Sequence, residues 1–181
     1  EKINLAKNHG IIRKQTKQKL FGSWHYAINS LGYNYRLSDI NCALGISQLQ
    51  KLNMFIKKRN ENAIFYNRKL SDLDFMSLPI VKKNYLHAFH LYILQFNFNK
   101  SNFSKKNFFK FMQRNNINLQ VHYIPIYRHS FYKKKFNFKI KDFPICERFY
   151  KNAFSIPNYY SLKKLEMNYV INKIKSFFIK R

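Results

Sequence analysis

The chain has 181 residues, of which 46% are hydrophobic and 18% aromatic, with 34 Lys and Arg against 8 Asp and Glu for a formal charge of +26. That composition is globular rather than disordered. The mean hydropathy of −0.48 and the lack of any apolar run of roughly 18 residues leave no membrane span and predict a soluble protein. Cys42 and Cys146 stand alone, outside any CxxC pair or Cys/His cluster, so neither a disulfide framework nor a zinc site is expected, and reduced thiols fit a cytoplasmic protein. Nothing resembling a secretory apolar region precedes the first helix.

In chain order, Glu1 to Asn8 reads as a helix entered part-way, and with no initiator Met the sequence is expected to lack its beginning. Asn8 to Asn29 reads as a loop-rich connection ending at Trp24, His25 and Tyr26. Ser38 is placed to cap a helix with Asp39 in its first turn, where a carboxylate suits the helix dipole. Ile40, Ala43, Leu44, Ser47, Leu49 and Leu52 then follow at helical spacing. After a bend at Asn53, a second helix over Phe55 to Leu70 is expected to turn Ile56, Ala63, Ile64 and Leu70 inward and Lys57, Lys58, Arg59 and Lys69 outward.

Asp72 to Pro79 reads as a turn, and His90 to Phe98, dense in aromatic and branched residues, as a strand. Ser104 caps a helix from Lys105 to about Asn115 with Phe108, Phe109, Phe111 and Met112 as its buried stripe, and the Asn115-Asn116 pair ends it. Leu119 to Tyr123 is predicted as a second strand stopped by Pro125. Lys133 to Lys141 reads as a solvated basic loop with the charge to attract a diphosphate. A helix over Pro144 to Ala153, an extended piece at Phe154 to Ile156, and a last helix capped by Ser161 complete the chain. Leu165, Tyr169, Ile174 and Phe177 are expected to face inward from that last helix. From Phe75 onward the order predicts an α+β domain with helices on one face of a sheet.

The lysines are spread along the chain and no helix-turn-helix, zinc finger or RNA-binding aromatic motif accompanies them, so the charge is not read as a specific nucleic-acid site. His87, His90 and His129 lack metal spacing, and no metal site is expected.

The stretch "GYNYRLSDINCALGISQLQKL" (32–52) resembles the DegT/DnrJ/EryC1/StrS family of sugar-nucleotide aminotransferases. "SWHYAINSLGYNYRLSDI", "HLYILQF", "NNINLQVHYIPIY" and the tail from Phe143 to Phe178 fit the same family in order and spacing. The form of the "VHYIPIY" segment and the tail is most similar to the branch that aminates UDP-4-keto-6-deoxy sugars on the route to pseudaminic acid. The resemblance implies an α/β fold, the pyridoxal-phosphate-dependent transferase fold type I. This chain would supply the end of the large domain (1–52), a connecting helix (53–74) and an α+β C-terminal small domain (75–181).

The family's Schiff-base lysine sits in a Ser-His-x-x-x-Lys stretch upstream of the part matched, so no catalytic residue is assigned here and the chain alone is expected to be inactive. Asn34 matches the family's Asn in a G-x-N-x-R turn that reaches across a homodimer interface to the partner's pyridoxal 5'-phosphate and substrate. Arg36 joins it at the cofactor phosphate or the amino donor's carboxylate, with an ion pair to Asp39 or to a partner-chain carboxylate as the structural alternative. Leu119, Gln120, Val121, His122 and Tyr123 match the corner that meets the nucleotide sugar. L-Glutamate is the implied amino donor. Ala43 and Gly45 are small enough to let the following helix pack closely, so that the Asn34 turn and this helix would form the dimer contact, and no membrane partner is implied. Another nucleotide-linked keto sugar, or a non-catalytic polyanion-binding remnant, stays open as an alternative.

Overall fold

The computed structural model describes residues 1–98 and 102–179. Two compact units divide the chain, Glu1–Lys51 and Leu52–Arg181.

In the first unit, α1 (Lys2–Ala6) and α2 (Gln15–Phe21) flank β1 (Ile11–Ile12), which pairs antiparallel with β2 (Ala27–Ile28). The expected connection therefore contains a helix and a two-stranded ribbon. Its apolar residues are too few and too scattered to announce either, and pairing between remote segments leaves no local periodicity. α3 (Asp39–Leu49) starts as predicted, the Ser38 hydroxyl accepting from the Asn41 N–H at 3.4 Å. No residue of α3 is buried, and Gly10 is the only buried residue among 1–51.

The second unit opens on α4 (Leu52–Leu70), so the break between helices falls at Gln50 and Lys51 and Asn53 lies inside α4. Three antiparallel strands follow, in the order β3 (Met76–Ser77), β4 (Tyr92–Phe96), β5 (Ala153–Ile156). α5 (Lys105–Arg114), α6 (Ser130–Phe136) and α7 (Pro144–Asn152) lie between β4 and β5, and α8 (Lys164–Ile179) follows β5. Alternation along β4 sends Tyr92, Leu94 and Phe96 to the core, and registered partners Ile156 and Phe154 of β5 join them. α4 contributes Ala63, Tyr66 and Leu70, α5 Phe108 and Met112, and α8 Met167, Val170, Ile171, Ile174 and Phe178. The Phe178 ring meets those of Phe96 at 4.3 Å and Phe108 at 5.1 Å.

Several expectations are corrected. β3 lies within the stretch read as a turn, because a two-residue strand has no period to detect. Leu119 to Tyr123 is no strand: it makes one bridge, Gln120 with Ser155, and Pro125 has no N–H with which to continue a ladder. The basic run is not all loop, since Lys133, Lys134 and Lys135 form the last turn of α6, ended by Asn137 at φ +49°. α8 begins at Lys164 rather than next to Ser161, and the Glu166 carboxylate accepts from the Lys163 N–H at 2.7 Å. Its inward stripe is Met167, Val170, Ile171 and Ile174, leaving Leu165 and Tyr169 exposed. Ile64 of α4 is likewise exposed. Arg59, expected outward, lies partly buried with Nη1 donating to the carbonyls of His90 at 2.8 Å and Asn158 at 3.0 Å. The backbone just outside β4 and β5, around Phe89 and Asn158, leaves carbonyls without strand partners, and a guanidinium fork supplies donors to several at once.

Candidate functional site

The residues singled out by sequence fall into two groups, one in each unit. In the first unit, the segment 33–35 lies against 6–9 through backbone bonds. The Tyr33 N–H donates to the Ala6 carbonyl at 2.7 Å, Tyr35 to Lys7 at 2.9 Å, and His9 back to Tyr33 at 3.0 Å. Gly32 is required by this approach, because a Cβ there would stand 2.2 Å from the Gly10 nitrogen. The extended backbone then splits the side chains by face. Tyr33 and Tyr35 stack on one side with centroids 5.1 Å apart, while on the other Arg36 Nε donates to Asn34 Oδ1 at 3.3 Å.

Both polar side chains are exposed. The Asn34 oxygen is taken by Arg36 and not by its own backbone, which leaves the amide NH2 as an outward donor. Arg36 makes no ion pair with Asp39 among the described residues, whose three ion pairs lie elsewhere. An amide donor beside an unneutralised guanidinium suits an anionic oxygen, and a phosphate in particular. Trp24 and Tyr26 are exposed, and His25 stacks on Phe21 at 5.1 Å.

In the second unit, Leu119, Gln120 and Val121 line one cavity of about 530 Å³ together with Lys105, Lys106 and Lys110 of α5. Gln120 and Ser155 exchange backbone bonds at 3.3 and 2.9 Å. The buried Ser155 hydroxyl holds His122 Nε2 at 2.8 Å, while no partner meets His122 Nδ1 among the described residues. The His122–Tyr123 peptide bond is cis. Tyr123 projects outward, its ring edge-on to that of His122 at 5.0 Å. The structure thus gathers Leu119, Gln120 and Val121 at one cavity wall and ties His122 to β5.

Lys105 was not singled out by sequence. Its ammonium is held by the carbonyls of Tyr150 at 2.7 Å and Ala153 at 2.8 Å, and burial pushes its pKa down to about 8. The available signal was its position: the first residue after the Ser104 cap, three before the buried Phe108. Among the described residues no group of three His, Cys, Asp or Glu is placed to hold a metal ion, and no helix is long and apolar enough to cross a membrane.

The fold is that of the fold type I aminotransferases over the part they share with this chain. It matches Helicobacter pylori PseC, an aminotransferase involved in the biosynthesis of pseudoaminic acid, with a TM-score of 0.85 and 28% identity, covering 99% of this chain and 46% of that one. A putative sugar aminotransferase from Streptococcus pneumoniae, Spr1654 in its PMP form, matches with a TM-score of 0.86 at 22% identity over 98% of this chain and 44% of its own. The model of the DegT/DnrJ/EryC1/StrS aminotransferase family matches residues 1–175, and the chain belongs to that family. Among curated relatives, the Campylobacter jejuni UDP-4-amino-4,6-dideoxy-N-acetyl-beta-L-altrosamine transaminase is 35% identical over 94% of this chain and 43% of its own length. The spore coat polysaccharide biosynthesis protein SpsC of Bacillus subtilis is 31% identical over 97% of this chain and 46% of its own. The chain thus spans under half the length of these relatives.

Proposed function

We propose that this chain is the C-terminal portion of a cytoplasmic, homodimeric, pyridoxal-phosphate-dependent transaminase that moves an amino group from L-glutamate to the C4 keto group of a UDP-linked 4-keto-6-deoxy sugar. The observation that carries the proposal is the 35% identity to the Campylobacter altrosamine transaminase across 94% of the chain, a span that includes both groups of candidate residues. Pyridoxal 5'-phosphate, when bound, supplies the electron sink and carries the amino group between donor and acceptor. The donor set at the Asn34 turn fits its phosphate. Asn34 offers two amide hydrogens and Arg36 a full positive charge, and the bond between them fixes both heads on one face of the turn. In the homodimer this turn serves the neighbouring protomer's site, with the uncovered helix α3 as the contact behind it. The corner from Leu119 to Tyr123 receives the nucleotide sugar, its main chain fixed on β5 and His122 braced by Ser155.

The test is to read the coding frame ahead of Glu1 for a Ser-His-x-x-x-Lys segment, and to assay the protein that includes it with glutamate and a UDP-linked 4-keto sugar. The expected result is an amino sugar and 2-oxoglutarate in equal amounts from the longer protein and none from the 181-residue chain alone. Asn34→Ala in the longer protein is expected to lower kcat/KM on the order of 10–100-fold, the worth of a hydrogen bond to a charged group. A frame without the lysine, or an Asn34→Ala enzyme of full activity, overturns the assignment.

A further inference from the structure

We propose that the segment 131–141, "FYKKKFNFKIK", is a docking surface for a lipid bilayer bearing anionic headgroups, an inference that does not depend on the aminotransferase activity. Those eleven residues hold five lysines, four aromatic rings and Ile140, with no carboxylate until Asp142. They are ordered as α6 and a 3-10 turn at Ile140–Asp142, and Phe131, Phe136 and Ile140 are 64%, 50% and 47% exposed. The ion pairs among the described residues involve none of these lysines. Cationic stems beside uncovered rings are the composition that settles at the headgroup boundary, the rings entering the acyl edge while the ammonium groups stay among phosphates.

The surface is held in place from the interior. Tyr127, buried and bonded to Glu147, stacks on Phe143 at 4.2 Å, and Phe143 meets Phe138 edge-on at 5.7 Å. Phe138 stacks on Phe136 at 5.4 Å, and Lys135 sits over Phe136 at 5.5 Å and over Phe131 at 5.8 Å. This run of rings also decides between two anionic partners. A single-stranded nucleic acid would need free ring faces on which to stack its bases. Here Phe136 has the rings of Tyr132 and Phe138 stacked beside it and the Lys135 ammonium over it, and Phe131 has the same ammonium over its ring, whereas a bilayer needs only exposed apolar surface and the lysine charge.

The test is co-sedimentation of the 181-residue chain with phosphatidylcholine vesicles, with and without phosphatidylglycerol. Binding is expected only to the anionic vesicles. The triple variant K133Q/K134Q/K135Q should lower partitioning by on the order of 100-fold, at about fivefold per lysine. A matched triple in the first unit, K14Q/K17Q/K19Q, controls for the overall charge and should cost at most about threefold. In a W24F background, F136W emission should shift to the blue on the anionic vesicles. Equal losses in the two triples, an unshifted emission, or displacement of the vesicles by a single-stranded oligonucleotide that itself quenches that emission would each overturn the proposal.

Discussion

The guanidinium of Arg128 closes on the carboxylate of Glu147 through two bonds, Nε to Oε1 at 2.7 Å and Nη2 to Oε2 at 2.5 Å, with the Tyr127 hydroxyl donating to the same Oε1 at 3.1 Å. Glu147 is 6% exposed, and its carboxylate spends its lone pairs on these partners. The Arg128 bonds hold the Glu147 carboxyl below its ordinary 4.5 against the opposing effect of burial. Folded, Glu147 therefore takes up its proton at lower pH than when unfolded. Its contribution to stability is complete above 4.5 and is lost as pH falls through the folded value. Glu147→Gln is expected to cost about 2–3 kcal/mol at neutral pH, where it leaves Arg128 without its counter-charge. Urea titrations at a series of pH values should show a shallower acid limb in the variant.

Lys105 gives a slope of the same sign in the alkaline range. Its folded pKa of about 8 lies below the ordinary 10.5, so between those values the unfolded chain holds more protons and stability rises with pH. Lys105→Met is expected to remove that rise. The readout is the difference in unfolding free energy between wild type and variant across the alkaline range, which cancels the other groups that titrate there.

Two glycines predict opposite outcomes. A Cβ on Gly45 would meet no described atom within 4 Å, and the residue sits inside α3, so Gly45→Ala should stabilise the chain by about 0.5–1 kcal/mol. At Gly32 the added carbon would strike the Gly10 backbone, and Gly32→Ala should abolish the Asn34 turn, seen as faster amide exchange of Tyr33 and Tyr35 than in the unsubstituted chain. If α3 is a contact between protomers, Gly45→Ala should also weaken dimer formation by the longer protein in analytical ultracentrifugation.

Phe108 has 0% of its surface exposed and meets the rings of Phe154, Phe177 and Phe178 at 5.0–5.1 Å. Truncation to Ala should cost about 4 kcal/mol, transfer and cavity together. Ile64→Ala, on the exposed face of α4, should stay within about 0.5 kcal/mol. Chemical denaturation of the two variants tests which faces of α5 and α4 are buried.

What was legible in the sequence followed local chemistry. Ser38 and Ser104 each offered a short oxygen ahead of a periodic apolar run, and both accept from the amide three residues on. Phe108 and Met112 share a helix face at i, i+4 and both are buried. The misreadings arose where a distant partner decides. Arg59 reads as solvated until the carbonyls of His90 and Asn158 are brought to it. Leu165 and Tyr169 fit a helical stripe as well as Met167 and Ile171 do, and only packing against α4 and α5 selects between the two faces. At the candidate site, the motif residues were visible by family likeness, but Lys105 was hidden among other lysines because its distinction is a pair of carbonyls from α7 and β5.

Gly10 is the one buried residue among the first 51, and a glycine has no side chain to bury. The first unit is therefore ordered by main-chain bonds with no apolar interior beneath them, and such bonds open one at a time at little cost. Its amides should exchange with solvent far faster than those of β4, and a protease should clip within it long before it cuts the second unit.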